Sequence, residues 1–180
     1  MLTLHQILRD ATRADHVSLD HALSEFDLRD PGGYGRFLNM HHAALRSLEG
    51  LWRADDREDF AALLRCVQAD LAALGAPLDE QLKTPAAAPA PLSGWGIGYV
   101  VRGSRLGSRV LRKRVPARFA ASYLDFAPAL AWPDFLQRLE AQADALTPHD
   151  RDAVIGGAKT AFAVFAEFAA AAPGTAMPGA

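Results

Sequence analysis

The sequence predicts an all-α fold, and three observations carry that reading. Apolar residues recur at helical spacing along most of the chain, no segment alternates apolar and polar residues as a strand does, and the interruptions fall at proline, glycine or hydroxyl capping signals. With 180 residues, 50% of them hydrophobic and 22% charged, the chain is most simply one compact domain that buries its core without disulfides or a structural metal. That domain is expected over residues 1–172, followed by a disordered tail at 173–180.

Leu4, Ile7, Leu8, Ala11, Ala14, Leu19, Ala22, Leu23 and Phe26 trace a first amphipathic helix, which DPGGYG then breaks. A second begins near Tyr34, with Phe37, Leu38, Met40, Ala44, Leu45, Leu48, Leu51 and Trp52 as its stripe, and a third runs from Arg57 to Leu74. Prolines in the stretch Gly75–Leu92 forbid continuous helix and predict an extended surface connector. The next helix occupies Gly94–Leu111 and carries Gly103 and Gly107 in its interior. Each interior glycine costs a helix roughly 1 kcal/mol against alanine, so something must come close to the backbone there, either another helix or a flat ligand. Gly94, Gly96 and Gly98 are assigned to the start of the helix and its packing. Pro116 ends this region, two shorter helical segments follow on either side of Pro128–Pro133, and the last helix starts at the N-cap pair Thr147-Pro148 and runs through Phe168. No internal repeat is visible.

The formal net charge is −2, yet Arg102, Arg105, Arg109, Arg112, Lys113, Arg114 and Arg118 crowd into one region. This is a local positive field on a near-neutral protein, which fits a solvated face or an acidic partner and argues against a dedicated nucleic-acid binder. On a helical projection Arg102, Arg105, Arg109 and Arg112 form one stripe, roughly 120–150° around from the two interior glycines, and Arg114 projects with the glycines. No apolar run reaches the ~18 residues of a membrane span, and the N-terminus is charged too early for a secretory signal, so a cytoplasmic protein without membrane contact is expected. The lone Cys66 sits among apolar residues and reads as a core residue.

An all-α protein does chemistry mostly by holding a metal or cofactor between helices. His41 and His42 are adjacent and point about 100° apart, which disfavours joint ligation of one ion. His5, His21 and His149 have no partner pattern, and no HExxH motif or paired ExxH spacing is present. His16 differs: Asp20 follows one turn later on the same face, where a carboxylate can orient the second ring nitrogen of a single axial ligand. A lone helical histidine is also compatible with an ordinary core or surface role.

The segment LRDATRADHVSLD (Leu8–Asp20) resembles the proximal helix of the haem oxygenases, YVVRGSRLGSRVL (Tyr99–Leu111) resembles their distal helix, and VIGGAKTAFAVFAEF (Val154–Phe168) their C-terminal helix, in the same chain order. The resemblance covers nearly the whole chain and is nearest to the bacterial, phytochrome-associated branch. It implies an irregular helical bundle with haem held between the proximal and distal helices. His16 then corresponds to the iron ligand and Asp20 to its orienting carboxylate. Gly103 and Gly107 lie against the distal face, Arg9 and Lys159 meet the propionates, and Tyr99 and Phe162 belong to the walls, with Phe165 as a further wall candidate. Ser104 stands where the animal enzymes carry an aspartate, and Ser108 replaces the glycine that follows Gly107. Arg102 stands where bacterial relatives often carry an acidic residue.

The resemblance also implies the reaction: haem is both cofactor and substrate, and dioxygen with externally supplied electrons converts it to biliverdin, carbon monoxide and ferrous iron, the alpha meso carbon being the default position. The implied partners are an electron-donating reductase or ferredoxin, for which the arginine stripe is a docking surface, and a biliverdin-accepting phytochrome. Ser104 and Ser108 keep open a haem carrier or sensor that has lost turnover. A haem-free interaction module, with its glycine face against a partner helix, needs no iron ligand at all.

Overall fold

A computed structural model describes residues 2–79 and 92–172, and the described residues form eight α-helices and no strand. The expected tail at 173–180 and most of the proline-rich connector lie outside the described residues.

The first apolar stripe is two helices. Thr3 caps α1 (Leu4–Ala11) in a reciprocal capping box with Gln6, and α2 (Arg13–Ser24) follows after a break at Thr12. The buried Thr12 hydroxyl donates to the Leu8 carbonyl at 2.8 Å, the side-chain back-bond that bends helices and that an apolar pattern cannot reveal. The sequence DPGG, expected as a breaker, instead starts α3 (Pro31–Leu48): the Asp30 carboxylate accepts from the Gly33 N–H at 2.8 Å and Pro31 occupies the first turn. The next helix, α4 (Arg57–Leu74), has the predicted bounds and closes on Gly75, whose φ of 68° is left-handed.

After the connector come α5 (Ser93–Arg112), the single turn α6 (Ser122–Asp125), α7 (Trp132–Ala143) and α8 (Pro148–Ala171). Thr147 caps α8 as predicted. The start of α6 is held by Asp70, only 1% exposed, whose carboxylate accepts from the backbone N–H groups of Ser122 and Tyr123 and from the Ser122 hydroxyl.

By length and composition α8 is apolar enough to cross a membrane, although Lys159 and Glu167 interrupt its apolar run. In this fold it is the core helix: half of its apolar window is buried, and α5, α2 and α3 all pack on it. The α5–α8 crossing is a contact of backbones. A Cβ at Gly96 would lie 1.9 Å from the Val154 carbonyl oxygen, and one at Gly157 would lie 1.9 Å from that of Ser93. These glycines are therefore obligatory spacers between helices.

The arginine stripe is not a uniform solvated face. Arg102 is 1% exposed: it bonds the Asp56 carboxylate through Nε and Nη2 at 3.1 and 2.8 Å, pairs with Asp59 at 2.8 Å and donates to the Leu130 carbonyl. Arg112 is partly buried against Asp125. Helical projection gives an angle around one helix and is blind to what packs there, so Arg102, Arg105 and Arg112 leave the predicted docking face.

Gly157→Ala is expected to destabilise the protein by about 3 kcal/mol, since neither backbone can retreat from the inserted methyl. Urea unfolding midpoints measure the loss, and an unchanged midpoint contradicts the crossing.

Candidate functional site

Both α2 and α5 pack extensively on α8 but scarcely on each other. The gap is a cavity of about 740 Å³, lined from α1, α2, α3, α5, α8 and the segment Tyr123–Trp132. Its size suits a large organic ligand.

Most residues singled out in the sequence reach this cavity. Arg9, His16, Asp20, Tyr99, Gly103, Ser104, Gly107 and Phe162 all line it, as does Phe165. Lys159 does not: it is exposed on α8, outside the lining. A cation that spacing could have found stands on the cavity wall instead, namely Arg13, three residues before His16 and thus on the same helix face.

The His16 side chain is 61% exposed, its Nδ1 lies 3.1 Å from the Asp20 carboxylate, and its ring meets the edge of Phe162 at 5.8 Å between centroids. With Nδ1–H donated to Asp20, the tautomer leaves the Nε2 lone pair available to a ligand. An accessible imidazole thus stands beside a carboxylate that can orient it. Among the described residues no cluster of three or more metal-ligating side chains occurs.

The two glycines differ in what they face. A Cβ at Gly107 would meet nothing within 4 Å, so the bare helix backbone opens directly onto the cavity. A Cβ at Gly103 would meet the Trp132 indole at 3.4 Å, an ordinary contact. Gly107 is the open stretch of the α5 wall, whereas Gly103 is roofed by a tryptophan.

Further polar groups gather along another part of the lining. Arg105 donates to the Tyr123 hydroxyl and the Tyr123 carbonyl at 2.9 and 2.8 Å, and to the Ser104 hydroxyl at 3.2 Å, while its guanidinium lies 4.5 Å from the Tyr123 ring centroid. Burial pushes the Tyr123 phenol up, so it stays protonated. The Ser104 and Ser108 hydroxyls donate back to the helix carbonyls of Val101 and Ser104. His41 donates Nδ1–H to the Phe37 carbonyl at 2.8 Å, and burial is the main cause that pushes its pKa down to about 3, leaving a neutral ring on the cavity wall. Adjacency to His42 had marked His41 only as a poor co-ligand; its position against Tyr123 and Phe165 is purely tertiary.

The cavity therefore offers the exposed His16 imidazole with its carboxylate, a helix wall stripped of side chains at Gly107, aromatic walls and the cations Arg9 and Arg13. That donor set fits a flat, anionic iron porphyrin.

A heme oxygenase of Xanthomonas campestris pv. campestris (strain 8004) is 31% identical to this chain over 150 residues, which span 76% of the chain and 88% of that protein. The chain belongs to the haem oxygenase family. Its fold superposes on the crystal structure of the NO- and CO-bound heme oxygenase of Neisseria meningitidis with a TM-score of 0.76 and 24% identity, covering 99% of this chain and 100% of the other. No family model matches the sequence.

Gly107→Ala is expected to lower haemin affinity about tenfold while raising unfolding stability by about 0.5–1 kcal/mol, because the methyl enters the cavity and the helix gains propensity. Gly103→Ala, already roofed, should change affinity less than about threefold. Absorbance titrations together with urea melts check both. The buried His41 stays neutral in the folded protein down to about pH 3, whereas the unfolded chain protonates it near 6.5. Its contribution is therefore complete above 6.5 and is lost as pH falls, by up to about 1.4 kcal/mol per pH unit. His41→Gln should flatten stability between about pH 6 and about pH 4 in urea melts, relative to the parent protein.

Proposed function

We propose that this haem oxygenase family member opens haem oxidatively to biliverdin, carbon monoxide and ferrous iron in the cytoplasm, using dioxygen and electrons from an external reductase or ferredoxin. The observation that carries this reading is the accessible His16 imidazole, fixed by Asp20, in a cavity whose α5 wall is bare at Gly107. Bound haem supplies the iron that activates dioxygen and the porphyrin carbon that is oxidised.

The chain's own residues bind, orient and solvate. His16 Nε2 would hold the haem iron, and Asp20, by accepting the Nδ1–H, would raise the basicity of that nitrogen. Arg9 and Arg13, both on the cavity lining, would hold the propionates, Arg13 in place of Lys159. The open backbone at Gly107 would leave room for the gaseous substrate beside the bound haem. The Ser104 and Ser108 hydroxyl hydrogens are engaged by backbone carbonyls, so neither is a free acid. The Tyr123 hydroxyl accepts from Arg105 and keeps its own hydrogen to donate, and the neutral His41 Nε2 accepts; together they can order water beside the ligand. The tyrosine stays protonated and the histidine neutral at neutral pH, so the charge of this network is that of Arg105.

Of the basic residues between Arg102 and Arg118, Arg109, Lys113, Arg114 and Arg118 remain exposed and supply the positive field for an acidic electron donor. Arg105 does not belong to that surface, because its guanidinium is engaged by Tyr123 on the cavity wall. The product would pass to a biliverdin-accepting protein such as a phytochrome. A second reading, a haem carrier or sensor without turnover, is favoured by one observation: both distal serines are bonded back onto their helix.

Haemin added to the purified protein should give a stoichiometric complex with a shifted Soret band, and ascorbate under oxygen should convert it to biliverdin. A stable complex that never yields biliverdin establishes the carrier; absence of a complex rejects both readings. His16→Ala should abolish the histidine-ligated ferric spectrum, and imidazole added to that variant should restore it. Charge reversal at Arg109 and Lys113 should slow reductase-driven turnover at low salt and leave ascorbate-driven turnover unchanged.

A further inference from the structure

Trp132, the first residue of α7, is half-buried and lines the cavity. Its six-membered ring lies over Gly103, with atoms 3.4, 3.5 and 3.9 Å from where a Cβ would stand. Tyr99 packs against it at 5.4 Å between centroids, His5 meets it edge-on at 6.0 Å, and Phe135 backs it in a near-parallel stack at 5.8 Å. The lining along α5 is consequently asymmetric: filled by an indole at Gly103, open at Gly107.

The indole is held in place from behind. Asp59 accepts from the backbone N–H of Ala129 at 2.8 Å and of Leu130 at 3.4 Å, and Arg102 donates to the Leu130 carbonyl at 2.9 Å. Arg102 is itself fully buried between Asp56 and Asp59. The approach to α7 is thus pinned to α4 and α5 by buried charge, and Pro133 stiffens the next residue. A side chain with two rotatable bonds, packed on three rings, makes a rigid wall.

We propose that Trp132 is a specificity-determining residue that fixes the in-plane seating of the tetrapyrrole, and with it which meso carbon is oxidised. The proposal rests on the haem oxygenase reading above. A single axial imidazole leaves rotation about its own bond to iron unconstrained, because the macrocycle core is nearly four-fold symmetric. Contacts at the periphery must choose the rotation. Arg9 and Arg13 can hold the propionate edge, yet they lie on flexible side chains, and Arg9 is exposed. The anchored indole is the rigid peripheral group, and a disc turned to place bulk against Gly103 would collide with it.

The test compares Trp132→Ala, Trp132→Leu and Trp132→Phe with the parent protein, each loaded with haemin. Proton NMR of the ferric cyanide complex reads the in-plane orientation through the haem methyl shifts, with no turnover required; chromatography of the ascorbate product reads the biliverdin isomer. In Trp132→Ala a second set of methyl resonances should appear at about 10% or more of the total, with a second isomer in matching proportion, while Trp132→Phe returns toward the parent pattern. Haemin affinity should change less than about fivefold, which separates seating from binding. If Trp132→Ala does not fold, Trp132→Leu, which keeps an apolar side chain on Phe135, must show the same second seating. One unchanged set of resonances and one unchanged isomer in the folded variants overturn the proposal and leave the enzyme reading standing. A parent protein that binds no haemin overturns the enzyme reading itself.

Discussion

The structure depends on the place where α5 and α8 touch with nothing between their backbones. Gly96 and Gly157 each leave less than 2 Å for a Cβ before the other helix's carbonyl oxygen, so this spacing exists only with glycine at both positions. About two and three turns further along α5 come Gly103 and Gly107, and within about two turns of Gly157 on α8 come Phe162 and Phe165. The crossing therefore holds the α5 wall of the cavity at a set height above the aromatic residues of α8. Since α2 packs on α8 independently, the width of the gap that receives a ligand follows from two helix packings onto a common third helix.

A second constraint runs through buried charge. Arg102 gives up its hydration entirely and recovers it from two carboxylates and a carbonyl. Such a cluster is a weak source of net stability, because desolvation offsets most of the attraction, but it is demanding about geometry. Here it joins α4, α5 and the segment leading to α7, and so carries the position of Asp56 and Asp59 through to the indole over Gly103. Cation–π contacts of Arg102 with Phe60 and Phe135, at 5.4 and 5.7 Å, extend the same connection to the ring that backs Trp132.

Three arginines of one predicted stripe show how context divides identical chemistry. Arg102 is a buried structural ion, Arg105 clamps Tyr123 on the cavity wall, and Arg109 stays exposed in solvent. Their spacing on α5 is regular; what differs is the neighbour. At Arg102 the neighbours are Asp56, just before α4, and Asp59 within it; at Arg105 it is α6, itself held by Asp70; and at Arg109 the side chain is exposed.

Local rules were enough to read much of this protein from its residues: the helical class, the bounds of α4, the Thr147 cap, and His16 with Asp20 one turn away are all near-neighbour relations along one helix. Where those rules compete, they misled. DPGG has the composition of a breaker, but Asp30 and Pro31 are in cap and first-turn positions, and Thr12 splits one apolar stripe into two helices through a single hydroxyl. The cavity's remaining residues were invisible for a different reason. His41, Tyr123, Arg105 and Trp132 come from four separate elements, and their meeting depends on interhelical distances that periodicity does not encode. Spacing alone put Gly103 and Gly107 on one helix face and left open whether another helix or a flat ligand comes close there. That an indole from another helix covers the first, while the second opens onto the cavity, was decided by tertiary packing, because what occupies the space above a glycine belongs to its neighbours.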